Sequence, residues 1–210
     1  MALTLVIGTK RWSTWSLRPW LALKVARIPF AEVEIALRQP ETKAQILEWS
    51  PSGKVPLLDD DGFKVWDSLA ICEYLADRFP EAGLWPEDAQ ARAVARCVSA
   101  EMHSGFMPLR RDCSMDVLAD LPLAEINDEV KADIARIDAI WTDCRAHFGG
   151  RGEGGGGPFL FGRFSIADAM FAPVASRVRT YHLPVGAVSA AYVDAILGMA
   201  EVREWIAGAK

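Results

Sequence analysis

The sequence lacks the features of several large protein classes. Its four cysteines, Cys72, Cys97, Cys113 and Cys144, form no Cys-x-x-Cys pair and the chain has only three histidines, so neither a disulfide framework nor a zinc site is predicted. No apolar run approaches the roughly 18 residues that span a bilayer, and the first residues carry neither a basic segment nor a cleavage site. A net charge of −5 argues against nucleic acid as a partner. We therefore expect a cytoplasmic globular protein with reduced cysteines and with no metal, membrane or nucleic-acid partner.

The first part of the chain alternates between strand and helix patterns. Apolar runs and period-two alternation predict strands at Leu3–Ile7, Phe30–Leu37, Val55–Leu58 and Phe63–Trp66, with a hairpin turn at Asp59–Gly62. Helices are predicted at Leu17–Ala26, Glu41–Trp49 and Ser68–Phe79. This β-α-β-α-β-β-α order is typical of a small mixed sheet flanked by helices, as in a thioredoxin-like α/β domain.

The rest of the chain is predicted to be an all-α helical bundle. Helices are expected at Ala89–Arg111, Leu123–Phe148, Ile166–Val178, Ala187–Leu197 and Ala200–Ile206. Ser165 and Asp168 form a capping box, which we interpret as a stabilising feature. The glycine run Gly149–Gly157 reads as a surface connection, because no strand precedes it as in a phosphate loop. The domain boundaries are therefore placed at 1–82 for the first domain, 83–88 for a linker and 89–210 for the second domain.

Two serines lie where the first strand is followed by the first helix. In Ser13-Thr14-Trp15-Ser16 we expect Ser16 to cap the helix, which leaves Ser13 free. A hydroxyl here can be purely structural, but first-turn amides and the helix dipole also stabilise an anion. No cysteine lies at this junction, so disulfide exchange of the thioredoxin kind is not expected.

Two further segments could bind parts of a peptide. Val55-Pro56 places an X-Pro bond at the start of a predicted strand, where the Val55 amide and carbonyl could pair with an extended peptide. Asp67-Ser68 opens a helix: Ser68 can cap it and its amide can take a carboxylate, while Asp67 can balance an amine. Together with the junction at Ser13, these segments fit a small peptide with a free amino-acid end and a thiol, namely glutathione.

Four motifs in this order resemble those of cytosolic glutathione transferases. They are Ser13-x-x-Ser16 followed by Arg18, Gly53-Lys54-Val55-Pro56-x-Leu58, Asp67-Ser68-x-Ala70-Ile71 and the capping box at Ser165. The first motif resembles the serine-type segment of the zeta and theta classes, and the likeness covers nearly the whole chain. The resemblance implies a thioredoxin-like first domain with cis-Pro56, a helical second domain and a homodimer.

The resemblance also implies roles for individual residues. Ser13 would be the catalytic serine, whose hydroxyl donates a hydrogen bond to the glutathione thiolate. Val55 would bind the cysteinyl part through its backbone, and Ser68 and Asp67 would hold the γ-glutamyl end. Lys54 would assist near the peptide, although a solvated surface charge is an equal alternative.

A second-substrate site is expected beside the thiol. In the zeta-class isomerases the first motif reads Ser-Ser-Cys-Ser, whereas this chain has Thr14 and Trp15 in the middle. Trp15 offers an apolar surface for a hydrophobic electrophile, although packing between domains would explain it equally well. On the predicted helix Ala89–Arg111, four side chains share one face and could accept an aromatic electrophile, or could simply be core and surface residues. They are His103, Phe106, Met107 and Arg110.

Three functions are compatible with these observations. The principal expectation is a glutathione transferase that adds the thiolate to an electrophilic, hydrophobic co-substrate, or that reduces a peroxide with the same thiolate. The first alternative is a glutathione-dependent isomerase of the maleylacetoacetate type, which returns glutathione unchanged. The second is a non-catalytic module that binds glutathione and serves interactions.

Overall fold

A computed structural model of the protein describes residues 3–150 and 156–210. The first half of the chain contains β1 (Leu3–Gly8), α1 (Thr14–Val25), β2 (Phe30–Ile35), α2 (Thr42–Trp49), β3 (Leu57–Asp60), β4 (Phe63–Val65) and α3 (Ser68–Arg78), followed by a 3-10 turn (Pro80–Ala82). The four strands form one sheet in the order β2-β1-β3-β4. β1 and β2 run parallel, and the other neighbours run antiparallel. The predicted mixed sheet with flanking helices is confirmed.

β1 lies at the centre of this half because its sequence is apolar on both faces. Leu5, Val6 and Ile7 are each completely buried. Leu5 and Ile7 belong to the large apolar core that extends into the helical half, whereas Val6 packs with Ile35 in a smaller cluster on the opposite face of the sheet. The end of β1 is therefore rigid where the chain turns toward α1.

The hairpin between β3 and β4 differs from the prediction. The strand predicted at Val55–Leu58 begins and ends two residues later, so that Asp59 and Asp60 belong to β3. The turn consists of Asp61 and Gly62, which both have positive φ, as a two-residue hairpin requires. The Asp59 carboxylate accepts the Gly62 amide at 2.6 Å and closes the turn.

The second half of the chain is helical, as predicted. It contains α4 (Ala89–Ser104), α5 (Met107–Asp112), α6 (Asp128–Phe148), α7 (Ile166–Tyr181), α8 (Ala187–Leu197) and α9 (Ala200–Ala207). α7 forms the centre, and α1 and α4 both pack against it. No helix in the described ranges is both long and apolar enough to cross a membrane.

Two predicted helices of the second half differ most from the structure. The helix predicted at Ala89–Arg111 is interrupted after Ser104, because Gly105 ends α4 and Phe106 takes a left-handed conformation with φ 60°. Pro108 in the first turn of α5 also lacks the amide that would continue the helix. α6 begins later than predicted, since the Asn127 side chain accepts the Val130 amide and caps it.

The predicted capping box at Ser165 and Asp168 is present at the start of α7. Asp168 is buried and accepts hydrogen bonds from the Ser165 amide and hydroxyl, the Leu160 amide and the Tyr192 hydroxyl. It therefore joins α7 to α8 and to the segment that precedes α7. Most of the glycine run, at 151–155, lies outside the described residues, so the surface connection predicted there stays a prediction.

Candidate active site

A cavity of about 760 Å³ opens between the chain leading into β3 and the start of α3. Six of the residues predicted to bind substrates line it, namely Trp15, Lys54, Val55, Asp67, Ser68 and His103. Ser13, Phe106 and Arg110 are not among its lining residues. The three segments that the sequence singled out thus meet in one place, although not every predicted side chain faces the cavity.

The wall beside β3 is formed by backbone. Val55 precedes a cis peptide bond to Pro56, as the resemblance implied, and both residues line the cavity. Lys54 is exposed at the edge of this wall, and its amide donates to the Ser52 hydroxyl at 3.3 Å. An extended peptide could therefore lie along residues 53–56.

The start of α3 places an acid and a hydroxyl at the other end of the cavity. Asp67, not Ser68, is the helix cap, because its Oδ1 accepts the amides of Leu69 at 3.0 Å and Ala70 at 3.2 Å. Ser68 is the first helical residue, so the prediction that it caps α3 is wrong. Its side chain is 1% exposed, and its hydroxyl has no hydrogen-bond partner within the described residues.

His103 connects this end of the cavity to the helical half. Its Nε2 lies 2.9 Å from Asp67 Oδ2. Burial lowers the pKa of His103 more than the Asp67 carboxylate raises it, so the imidazole is neutral at pH 7 and donates a hydrogen bond to Asp67. Asp67 is still about half exposed on its other side.

The two serines at the β1–α1 junction do not have the capping arrangement that the sequence predicted. α1 begins at Thr14, which places Ser13 at the cap position and Ser16 inside the first turn. The Ser13 hydroxyl donates to Ser16 Oγ at 2.7 Å, and Ser16 Oγ also accepts the Gly8 amide at 3.1 Å. Ser16 thus fastens α1 to the end of β1 and does not cap it. Ser13 is only 5% exposed.

Trp15 lies at the centre of a group of cations. Its ring centroid is 4.4 Å from the guanidinium carbon of Arg18 and 4.8 Å from that of Arg110. The His103 ring contacts it edge-on at a centroid distance of 5.4 Å. Trp15 is 37% exposed and lines the cavity next to His103.

Arg18 is completely buried beneath Trp15. None of its three guanidinium nitrogens has a hydrogen-bond partner among the residues described. Burial, together with the positive charges of Arg110 and Arg177, lowers the pKa of Arg18 well below its ordinary value. Sequence reasoning used Arg18 only as part of a motif, since nothing in the spacing shows that it is buried and unpaired.

Arg110 holds the break between α4 and α5. Its guanidinium donates to the carbonyls of Met102 and, at 2.9 Å, Gly105. Because of this break, the predicted common face of His103, Phe106, Met107 and Arg110 does not exist. Phe106 is buried in the core and Met107 is 63% exposed, whereas His103 and Arg110 both reach Trp15.

Arg177 on α7 was missed by sequence reasoning. It is 3% exposed and donates to Thr14 Oγ1 at 3.0 Å, to the Cys113 carbonyl at 2.8 Å and to the Pro173 carbonyl at 3.2 Å. Burial, followed by the charge of Arg110, lowers the pKa of Arg177 to about 10, so it remains a cation at neutral pH. No local pattern indicated it, because Thr14 and Cys113, which it contacts, are distant in the sequence.

Comparison with known proteins agrees with this geometry. The family model for the glutathione S-transferase N-terminal domain matches residues 12–78, and that for the C-terminal domain matches residues 124–208. A probable maleylacetoacetate isomerase from Caenorhabditis elegans is 38% identical over 96 residues, which are 46% of this chain and 44% of that protein. The chain spans about half the length of the curated relatives it matches.

Solved structures with the same fold cover almost the whole chain. A glutathione transferase homologue from Burkholderia, solved with bound glutathione, has a TM-score of 0.70 at 24% identity and covers 99% of this chain and 97% of its own. A bacterial zeta-class maleyl pyruvate isomerase has a TM-score of 0.74 at 23% identity, with 99% and 98% covered. The two domain matches, in order and over most of the sequence, show that this chain belongs to the glutathione S-transferase family.

Proposed function

We propose that the protein binds glutathione in the cavity between Trp15 and α3 and transfers its thiolate to an electrophilic carbon. The observation that carries this proposal is the Ser68 hydroxyl, which is buried at the cavity wall without a hydrogen-bond partner in the described chain. A buried polar group without a partner is costly. A ligand carboxylate at the start of α3 would satisfy the hydroxyl and lie at the positive end of the helix dipole.

The other contacts follow from the shape of an amino-acid end. Asp67 beside Ser68 supplies a carboxylate for the ligand's ammonium group, and His103 holds that carboxylate in place. The Val55 backbone pairs with the middle of the peptide, and Lys54 stands at the edge of the cavity near it. This arrangement directs the thiol toward Trp15 and the first turn of α1.

Ser13 is proposed as the hydroxyl that stabilises the thiolate. In the structure its proton is donated to Ser16, so a rotation of the Ser13 side chain would redirect it toward the sulfur. Ser16 would still accept the Gly8 amide after this change. The positive charges of Arg18, Arg110 and Arg177 nearby also favour the thiolate over the thiol.

An isomerase acting on an anionic substrate is the second candidate function. Arg18 and Arg110 lie against the Trp15 ring, Arg177 is bonded to the neighbouring Thr14, and Arg18 has no carboxylate bonded to it within the described residues. Such a field attracts an unsaturated carboxylate more than a neutral hydrophobic electrophile. The curated relatives named as maleylacetoacetate isomerases support the same choice. A non-catalytic binding module has less support, because the Ser13 hydroxyl and the cations near Trp15 lie at the first turn of α1, toward which the thiol is proposed to point.

Glutathione binding can be tested by calorimetry on the wild type and on Ser68→Ala. We expect the variant to bind about tenfold more weakly, since it loses a hydrogen bond to a charged group. Ser189→Ala is a matched control, because Ser189 is also buried, with no partner for its hydroxyl among the described residues, but lies on α8, outside the cavity. Absence of glutathione binding by the wild type would refute the proposal.

The reaction can be tested with two electrophiles. A maleyl-type carboxylate and 1-chloro-2,4-dinitrobenzene are each incubated with glutathione and protein. Isomerisation leaves the glutathione concentration unchanged while the carboxylate changes geometry, whereas conjugation consumes one glutathione per product. Ser13→Ala should lose activity in either reaction. If it keeps full activity while Ser16→Ala loses it, the assignment of Ser13 is wrong.

A homodimer is also proposed. β4 is the edge strand of the sheet, and Phe63 on it and Trp66 after it are 62% and 47% exposed. Apolar surface at a sheet edge favours association with another chain. Light scattering should give a mass twice that of one chain, and Phe63→Lys should shift it toward that of the monomer.

A further inference from the structure

A charged side chain of the C-terminal domain ends at the residue next to Ser13. The Arg177 guanidinium donates to Thr14 Oγ1 at 3.0 Å, across a sequence separation of 163 residues. Both side chains are buried, with 3% of Arg177 and 7% of Thr14 exposed. The contact thus lies inside the protein between α7 and the first residue of α1.

The other contacts of Arg177 make its position fixed. Its Nε donates to the Cys113 carbonyl at the end of α5, and its Nη1 donates to the Pro173 carbonyl one turn earlier on α7. A planar guanidinium held by three acceptors on three segments has little freedom to rotate. Thr14 therefore has a rigid partner.

The first turn of α1 is consequently held at two points. Ser16 is bonded to the Gly8 amide at the end of β1, and Thr14 is bonded to Arg177 on α7. Ser13 lies directly before Thr14 and is bonded to Ser16. The position of the Ser13 hydroxyl and of the first-turn amides thus depends on both domains, and a displacement of a few tenths of an ångström weakens such a hydrogen bond.

Arg177 also brings charge to this turn. All three of its hydrogen-bond acceptors are neutral oxygens, so none of them cancels its positive charge. A cation near the N-terminal turn of a helix favours an anion bound at that turn, in the same direction as the helix dipole.

We infer that Thr14 and Arg177 are positioning residues for the thiol site, through which the C-terminal domain sets where and how strongly the glutathione thiolate is stabilised. Neither residue needs to touch the sulfur. The thiol loses its proton to solvent when the thiolate forms, and no other bond changes in this step. The inference rests on the proposed function, because it concerns glutathione bound in the same cavity.

The test is a pH titration of the thiolate absorbance of glutathione bound to the full-length protein, which requires no electrophile. Thr14→Val keeps the shape of the side chain but removes the acceptor, and Arg177→Lys keeps the charge but cannot reach three acceptors at once. We expect each variant to raise the pKa of the bound thiol by about one unit. Thr14→Ser restores the acceptor and should return the pKa close to the wild-type value.

Thr180→Val is the matched control. Thr180 lies one turn after Arg177 on α7, is 3% exposed, and donates to the Asp116 carbonyl at 3.1 Å. The control therefore loses a buried threonine hydrogen bond of the same kind without changing the contact at Thr14. We expect glutathione bound to this control to have the wild-type thiol pKa. In the double variant of Thr14→Val with Arg177→Lys, the thiol pKa should shift no more than in the single variant with the larger shift.

Two results would overturn the inference. One is that the thiol of glutathione bound to Thr14→Val has the same pKa as in the wild type. If Thr14→Val does not fold, the same result with Arg177→Lys counts instead. The other is an equal shift in Thr180→Val. A wild type that does not bind glutathione refutes the proposed function instead, so the two failures are distinguishable.

Discussion

Asp168 accepts four hydrogen bonds in the interior of the helical half, which makes its replacement by asparagine a sensitive test of how α7 is anchored. Oδ2 accepts the Ser165 amide at 2.8 Å and the Ser165 hydroxyl at 3.1 Å. Oδ1 accepts the Leu160 amide and the Tyr192 hydroxyl, both at 3.1 Å. An asparagine has one oxygen and one NH₂ group, so in either orientation two of these donors would face another donor.

The magnitude follows from counting the lost bonds. Each buried donor left without an acceptor costs about 1–3 kcal/mol, so Asp168→Asn should lower the free energy of unfolding by about 3–5 kcal/mol. Tyr192→Phe removes one of the four donors, and Ser165→Ala removes another while keeping the Ser165 amide bond. Each of these variants should lower the free energy of unfolding by only about 1–2 kcal/mol.

The assay is urea denaturation followed by circular dichroism at constant pH. The midpoint of Asp168→Asn should fall by at least twice as much as that of Tyr192→Phe. In the double variant of Asp168→Asn with Tyr192→Phe, the losses should be less than additive, because the tyrosine hydroxyl has already lost its acceptor in one asparagine orientation. A loss in Asp168→Asn no larger than that in Tyr192→Phe would refute the reasoning.

Three further predictions concern other parts of the molecule. Because burial lowers the pKa of His103, the folded state binds fewer protons at this residue, and the stability contributed by neutral His103 should be lost as the pH falls below 6.5. The unfolding temperature, measured between about pH 5 and 8, should therefore fall more steeply at the acidic end in the wild type than in His103→Gln. Arg18→Met should raise the free energy of unfolding by about 1–4 kcal/mol, because it removes an unpaired buried charge. The same variant should have a lower kcat/KM for glutathione. A free energy of unfolding by urea that is unchanged or lower would contradict this prediction. Gly62→Ala should lower the free energy of unfolding by about 1 kcal/mol in the same assay, because Gly62 has φ 94°. Gly150→Ala is the control, and it should leave the free energy of unfolding unchanged. Both glycines have free space around them, but Gly150 has no positive φ.

The order of the elements could be predicted because periodicity and turn residues are local signals. The alternation of the first half and the helices of the second half are confirmed, and Ala187–Leu197 is observed with the predicted bounds. The break at Gly105 was missed because the apolar spacing continues through it from α4 into α5. Only tertiary packing places Phe106 in the core with a positive φ.

The candidate site was predictable in part for the same reason. Val55, Asp67 and Ser68 lie at ends of elements, where capping and turn chemistry restrict the residues that fit, and all three line one cavity. The hydrogen bonds of Ser13 and Ser16 could not be predicted, because α1 starts three residues earlier than expected, so that Ser13 and not Ser16 precedes the helix. Arg177 could not be found, since its partner Thr14 is 163 residues distant.

The buried arginines distinguish a site built for chemistry from one kept only for packing. Arg18 is completely buried with no hydrogen-bond partner in the described residues, and the charges of Arg110 and Arg177, which repel it, outweigh that of Asp67, which attracts it. A core optimised for stability would place an apolar side chain there. An anion bound beside Trp15 would relieve the repulsion between Arg18 and Arg110, so the free energy of unfolding should increase more with an anionic ligand than with a neutral one of equal size. The charge arrangement therefore favours a thiolate and a carboxylate substrate together over glutathione with a neutral electrophile.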